Sequence, residues 1–200
     1  MTRLQPYPSA ILSLNSELDA GHDTKTLFNK TLYKSIVLGK YQTSIVSDLP
    51  WGNVIPERLY IVMLDMNAFS GAYNKNGLYF SSSNLSEISV SLNGVGVYKN
   101  SVSFPHECSQ AYFNTIESLG IENDTLLDFD GFKQGKTILE YSLLPEDLQG
   151  TVPLELSGNL RVSIQLKQGV DKNLVILMFG DTKWVLTVNA DRNVVCDSRA

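Results

Sequence analysis

The stretch Ile88-Ser89-Val90-Ser91-Leu92-Asn93-Gly94-Val95 sets the class of fold. Apolar and polar residues alternate strictly from Ile88 to Leu92, which gives a strand one buried face and one wet face. Asn93-Gly94 then supplies two residues that tolerate positive φ, as the tight turns that match strand twist require. A strand running into a two-residue hairpin is antiparallel β-structure.

The same signal recurs on both sides of this segment. Leu160-Arg161-Val162-Ser163-Ile164-Gln165-Leu166 alternates as cleanly, and Leu59-Tyr60-Ile61-Val62-Met63-Leu64 is an apolar run of core-strand type. Further strands are expected at 32–38, 43–46, 78–82, 137–143, 173–179 and 184–189. Gly180-Asp181 reads as a tight reversal between the last two, and Gly39-Lys40 and Gly169-Val170-Asp171 as weaker turns. Nine short strands punctuated in this way describe an all-β antiparallel sandwich or barrel. Two short helices are expected in its connections. Residues 9–20 place Ile11, Leu14 and Leu18 at helical spacing before Gly21, and 109–119 place Tyr112, Phe113, Ile116 and Leu119 on one face. No linker, repeat or low-complexity tract divides the 200 residues, so a single domain over 1–200 is expected, with 1–25 as an N-terminal helical or extended arm.

Composition narrows function by exclusion. The formal charge is −5 and lysines such as Lys133, Lys136, Lys167 and Lys172 are scattered, which argues against direct nucleic-acid binding. Apolar runs are too short for membrane insertion, and residues 1–8 show no signal peptide, so an intracellular product is expected. Cys108 and Cys196 stand in no metal or redox spacing, and two buried free thiols are expected in preference to a disulfide. Sequons at Asn29, Asn84 and Asn123 carry little weight without a secretory signal.

Chemistry has few footholds. His22 and His106 are the only histidines, too few for a cupin-type metal centre, and read as loop residues. Asp124, Asp128 and Asp130 before Gly131 echo a fragment of a calcium loop without its closing Glu, and read as a solvated acidic loop. No nucleophile elbow, phosphate-binding loop or zinc-protease motif occurs. No metal, cofactor or catalytic residue is expected; a hydrolase or lyase on such a scaffold is the weakest reading. Trp51 and Trp184 fit core or interface anchors better than ligand platforms.

The densest unusual segment is 65–80, DMNAFSGAYNKNGLYF. Its aromatics and amides suit a contact surface, where rigid rings supply area and Asn supplies adaptable hydrogen bonds. They suit equally a long connection whose rings cap the sandwich and whose amides serve its own backbone.

At this segment the chain resembles the capsid-type proteins of Polinton/Maverick elements and adintovirus-like viruses, a group that includes transposon-derived animal proteins. The strand RLYIVMLD leads into NAFSGAYNKN, similar to the family's D-N-x-A-F-x-G-x-Y-x-K-N block at Asp65, Asn67, Ala68, Phe69, Gly71, Tyr73, Lys75 and Asn76, with Met66 interposed. Ala111-Tyr112 and the helix after it, GKTILEYSLLPED at 135–147, Gly158-Asn159-Leu160-Arg161 and Asp191-Arg192-Asn193-Val194 continue the likeness in family order. Gly77-Leu78-Tyr79-Phe80 departs from the family's P-F-N-F. Members are longer, with a domain ahead of the one matched here, so the likeness is to their C-terminal domain.

The resemblance implies an antiparallel jelly-roll sandwich from a virion structural protein. It would be made inside the host cell, with no cofactor and no active site. It implies self-assembly, a trimer most plausibly, beside other virion proteins. The residues expected at subunit or partner contacts are Asn67, Phe69, Tyr73, Asn74, Lys75, Asn76, Tyr79 and Tyr112, from the segment 65–80 and the loop 101–120. The alternative is a receptor- or glycan-binding head on the same fold.

Overall fold

The computed structural model describes residues 7–82, 84–100, 102, 104, 106–119, 127–143 and 157–197. In chain order they form α1 (Pro8–Asp19), β1 (Thr24–Leu38), β2 (Ser44–Asp48), β3 (Arg58–Asp65), α2 (Met66–Phe69), β4 (Leu85–Leu92), β5 (Val95–Asn100), α3 (Ser109–Leu119), α4 (Phe129–Gln134), β6 (Leu139–Ser142), β7 (Leu160–Leu166), β8 (Leu174–Val188) and β9 (Val194–Asp197).

The strand order decides the architecture. One sheet runs β1-β8-β3-β6, with β9 added on β8, and the other runs β2-β7-β4-β5. First pairs with eighth, second with seventh, third with sixth and fourth with fifth, all antiparallel. This nesting is one long hairpin wound into two sheets, the jelly roll. Its innermost turn is the hairpin quoted first: Leu92 pairs with Val95, and Asn93 and Gly94 between them sit at φ 52 and 81.

Periodicity becomes packing along these strands. Leu160, Val162, Ile164 and Leu166 of β7 are all buried while Arg161 and Gln165 face water. In β4, Ile88 and Val90 point inward, and an irregularity in the pairing between Leu85 and Glu87 restores Leu85 to the same core. β3 is apolar on both faces for a reason. Leu59, Ile61 and Met63 join the main core between the sheets, whereas Val62 and Leu64 join a second cluster with Val175 and Leu177. Met66, Phe80, Ile138 and Phe179 pack on that second cluster. Each fully buried Leu or Ile contributes roughly 1.5–3 kcal/mol.

Several expectations are corrected. Gly180-Asp181 is no reversal: β8 continues through it for 15 residues, merging the strands expected at 173–179 and 184–189. Gly180 serves close approach instead, since a Cβ there would lie 2.9 Å from Pro56 Cβ and 3.0 Å from Trp51 Cη2. Residues 78–82 form no strand beyond a single bridge between Phe80 and Lys136. β1 begins at Thr24, eight residues before the expected start; β5 is the second arm that the Asn93-Gly94 hairpin implied, without bounds, and β9, α2 and α4 were not foreseen. Neither cysteine is in a disulfide; Cys108 is buried, but Cys196 is exposed on β9 rather than buried. The arm anticipated at 1–25 contains α1, which opens with Pro8 at its first position and closes before Gly21 at φ 82.

Candidate assembly surface

The segment 65–80 leaves the end of β3 as a series of turns, each held by its own backbone. Asp65 caps α2, its Oδ1 accepting from the Asn67 N–H at 2.8 Å. Ala72 N–H then donates to Asn67 O, Lys75 N–H to Ala72 O, and Tyr79 N–H to Asn76 O. The Asn76 Oδ1 accepts from Leu78 N–H at 2.9 Å, so this amide serves the loop itself. The return is pinned to the body: Phe80 N–H donates to Gly135 O at 2.7 Å and Ser81 N–H to Met63 O at 2.8 Å. With Met66 and Phe80 packed on the second cluster, the loop is rooted at both ends.

Its crest is apolar and turned outward. Phe69, Leu78 and Tyr79 are exposed, and Tyr73 is fully so. Asn67, Asn74, Lys75 and Asn76 are exposed among them. Seven of the eight expected contact residues therefore share one loop. Tyr112 does not join them. It is buried on α3, its hydroxyl donates to Leu127 O at 2.9 Å, and its ring meets Phe113, Phe129 and Phe132 at centroid distances of 5.2–5.7 Å. Its place is in the main core, because the face of α3 that carries it packs inward.

Beside the loop lies an open cleft of about 490 Å³ flanked by Lys40, Lys75, Lys172, Asp65 and Asp171. Asp65 is the hub: its Oδ2 lies 3.7 Å from Lys75 Nζ and 3.9 Å from Lys172 Nζ, with only 15% of its side chain exposed. Asn173 ties the walls together, accepting from Lys40 N–H through its side chain and from Met66 N–H through its carbonyl. The arrangement fixes the base of the loop by compensating charges. It sets no nucleophile beside a base.

The other chemical candidates are spread apart. His22 pairs with Glu17 at 2.8 Å on the surface, and His106 is exposed elsewhere. Asp128 precedes α4 and lies 3.9 Å from Lys136, while Asp130 pairs with Lys133 at 2.7 Å; Asp124 falls outside the described residues. Among the described residues, no group of three His, Cys, Asp or Glu could hold a metal ion, and no helix is long and apolar enough to cross a membrane. Burial beside Glu140 pushes the Tyr141 hydroxyl well above the usual tyrosine range, and burial pushes the Cys108 thiol up. Neither group lines the cleft.

A second exposed surface escaped sequence reasoning. β1 occupies the end of its sheet and is at least partly exposed from Thr24 to Val37. Leu27, Phe28, Tyr33 and Val37 are exposed on it, and Lys30 Nζ lies 3.5 Å from the centre of the Trp184 ring. The Trp184 indole donates to Thr182 Oγ1 at 3.0 Å, and that hydroxyl donates to Lys30 O at 2.9 Å. The signal was present in Thr24-Lys25-Thr26-Leu27-Phe28, whose β-branched and aromatic content suits a strand.

No protein-family model matches the chain, and no characterised protein matches its sequence. Among solved structures, the chain is similar to the major capsid protein of mavirus, at 10% identity and a TM-score of 0.46 over 86% of this chain and 41% of that one. It is similar to a chain of the Sputnik virophage, at 12% identity and a TM-score of 0.48 over 88% and 38%, and to the PBCV-1 virus capsid, at 11% and 0.45 over 84% and 50%. The chain thus spans about two fifths to one half of the length of these capsid chains.

Proposed function

We propose that this chain is a virion structural subunit, a non-enzymatic jelly roll that assembles with copies of itself and with other virion proteins. The resemblance at 65–76 and in the blocks that follow it suggests particles of the Polinton/Maverick and adintovirus kind, and a trimer as the unit. The observation that carries the reading is the crest of Phe69, Tyr73, Leu78 and Tyr79, apolar and exposed on a loop pinned at both ends. Large side chains held rigidly in water are a feature of contact surfaces, where their burial drives association at little further cost in order. Tyr112 is left out of this surface because its ring is in the core.

The test is the solution mass of the chain and of its Phe69→Ala, Tyr73→Ala double variant, by light scattering after size exclusion. A trimer that falls to monomer, with unfolding free energy held within about 1 kcal/mol, is the expected result. An unfolded variant would assign the two rings to the core and end the proposal for this loop. A parent chain that is monomeric at all concentrations, and that loses binding to a glycan array when Tyr73 is replaced, would favour the receptor-binding head, since Tyr73 is fully exposed beside Asn74.

A further inference from the structure

Fifteen consecutive residues of β1 pair with β8 on one side and with no described strand on the other. An open strand edge is a row of unmet N–H and C=O groups, and proteins normally shorten it, bend it with bulges, break it with proline, set charges along it, lysine above all, or cover it. β1 uses none of the first three, and its three lysines turn away a like strand. It has no proline, and its register is uninterrupted from Thr24 to Leu38. Although α1 precedes it, every residue from Thr24 to Val37 remains at least partly exposed. The other outermost strands, β2, β5, β6 and β9, are only four to six residues long.

Charge says what suits this edge. The chain as a whole carries 21 acidic and 16 basic residues, yet β1 holds Lys25, Lys30 and Lys34 and no acid. Both faces also offer apolar footing to an added strand. Leu27, Tyr33 and Val37 lie on one, and Phe28, Leu32 and Ile36 on the other, as alternation along a strand dictates. We infer that the free edge of β1 receives an acidic, extended segment of a partner polypeptide, added to the sheet as a further strand. Main-chain hydrogen bonds supply the attachment in this mode, and alternate side chains supply the selectivity. β1 of a second copy fits poorly, because a strand without acids gives its like no opposite charge to meet.

The experiment uses the full chain and two synthetic eight-residue peptides, one alternating Glu with Val and one alternating Lys with Val. Affinity is measured at low and high salt, and hydrogen exchange locates the contact. The Glu-Val peptide is expected to bind about tenfold more tightly than the Lys-Val peptide, to slow exchange within 24–38, and to weaken with salt. The Lys25→Glu, Lys34→Glu variant, altered only at exposed positions, is expected to reverse the preference. Equal affinity for both peptides, no binding, or protection elsewhere would overturn the proposal. So would a change in the mass of the chain alone on Lys25→Glu, Lys34→Glu, which would make the occupant another copy.

Discussion

β1 and β8 have the same length and lie side by side through fifteen consecutive pairs, yet their burial is nearly opposite. Ile176 is fully buried while its direct partner Ile36 is only partly so, and Val185 is 5% exposed against 47% for its partner Leu27. Both strands have residues suited to the sheet. What separates them is company: β8 has β1 on one side and β3 or β9 on the other, whereas β1 has β8 alone. Burial here belongs to position in the sheet, and β propensity follows that position.

The contrast breaks most easily at the Ile36–Ile176 pair. Replacing Ile176 with Ala is expected to cost about 2–5 kcal/mol, by lost transfer energy and the cavity left behind, and Ile36→Ala clearly less. Urea unfolding of the two variants measures both, and equal losses would show that the edge strand is as fully packed as the central one. A smaller effect is expected where Leu32 meets Gly180. Gly180→Ala should destabilise by about 1–3 kcal/mol as its methyl presses on Pro56 and Trp51, with Leu32→Ala milder in the same assay.

Alkaline titration sharpens the contrast from the interior. Tyr141 is 3% exposed, and its pKa is raised in the folded state by burial and then by Glu140. A raised pKa favours the neutral hydroxyl on folding, so this stability is complete below the unfolded value of about 10. It declines above that pH by at most about 1.4 kcal/mol per unit. Unfolding followed between pH 9 and 11 should therefore show a steeper loss for the parent chain than for Tyr141→Phe. Identical slopes would place the alkaline sensitivity elsewhere.

Much of this fold was legible wherever the cause is local. Asn93-Gly94 gave its hairpin because positive φ at two adjacent residues is a property of those residues. β7 and β3 were readable from pattern, and α3 matched the range expected from its apolar spacing. The misreadings arose where distant partners decide. Gly180 resembled a turn residue, but its lack of a side chain answers to Trp51 and Pro56 more than a hundred positions earlier. The first half of β1 mixes two lysines and an asparagine among its strand-forming residues, which hides the pattern, and its pairing with β8 makes the strand plain. Tyr112 was expected at a contact because it lies in the loop 101–120 that the resemblance points to, and the packing of α3 against Phe129 and Phe132 of α4 puts it inside. The loop 65–80 was found by composition alone; its two-ended anchoring depends on Gly135 and on Met63, which composition does not reveal.

The nested pairing of strands also sets an order of assembly within the molecule. The β4–β5 hairpin closes over two residues, while the β1–β8 ladder joins positions separated by 136 at its nearer end, from Leu38 to Leu174. Closing a long loop costs chain entropy that only the finished contacts recover, so sheets rich in distant pairings form slowly. On a ribosome β1 is therefore kept waiting for β8, and the ladder that completes the sandwich starts to form only after residue 174 has emerged.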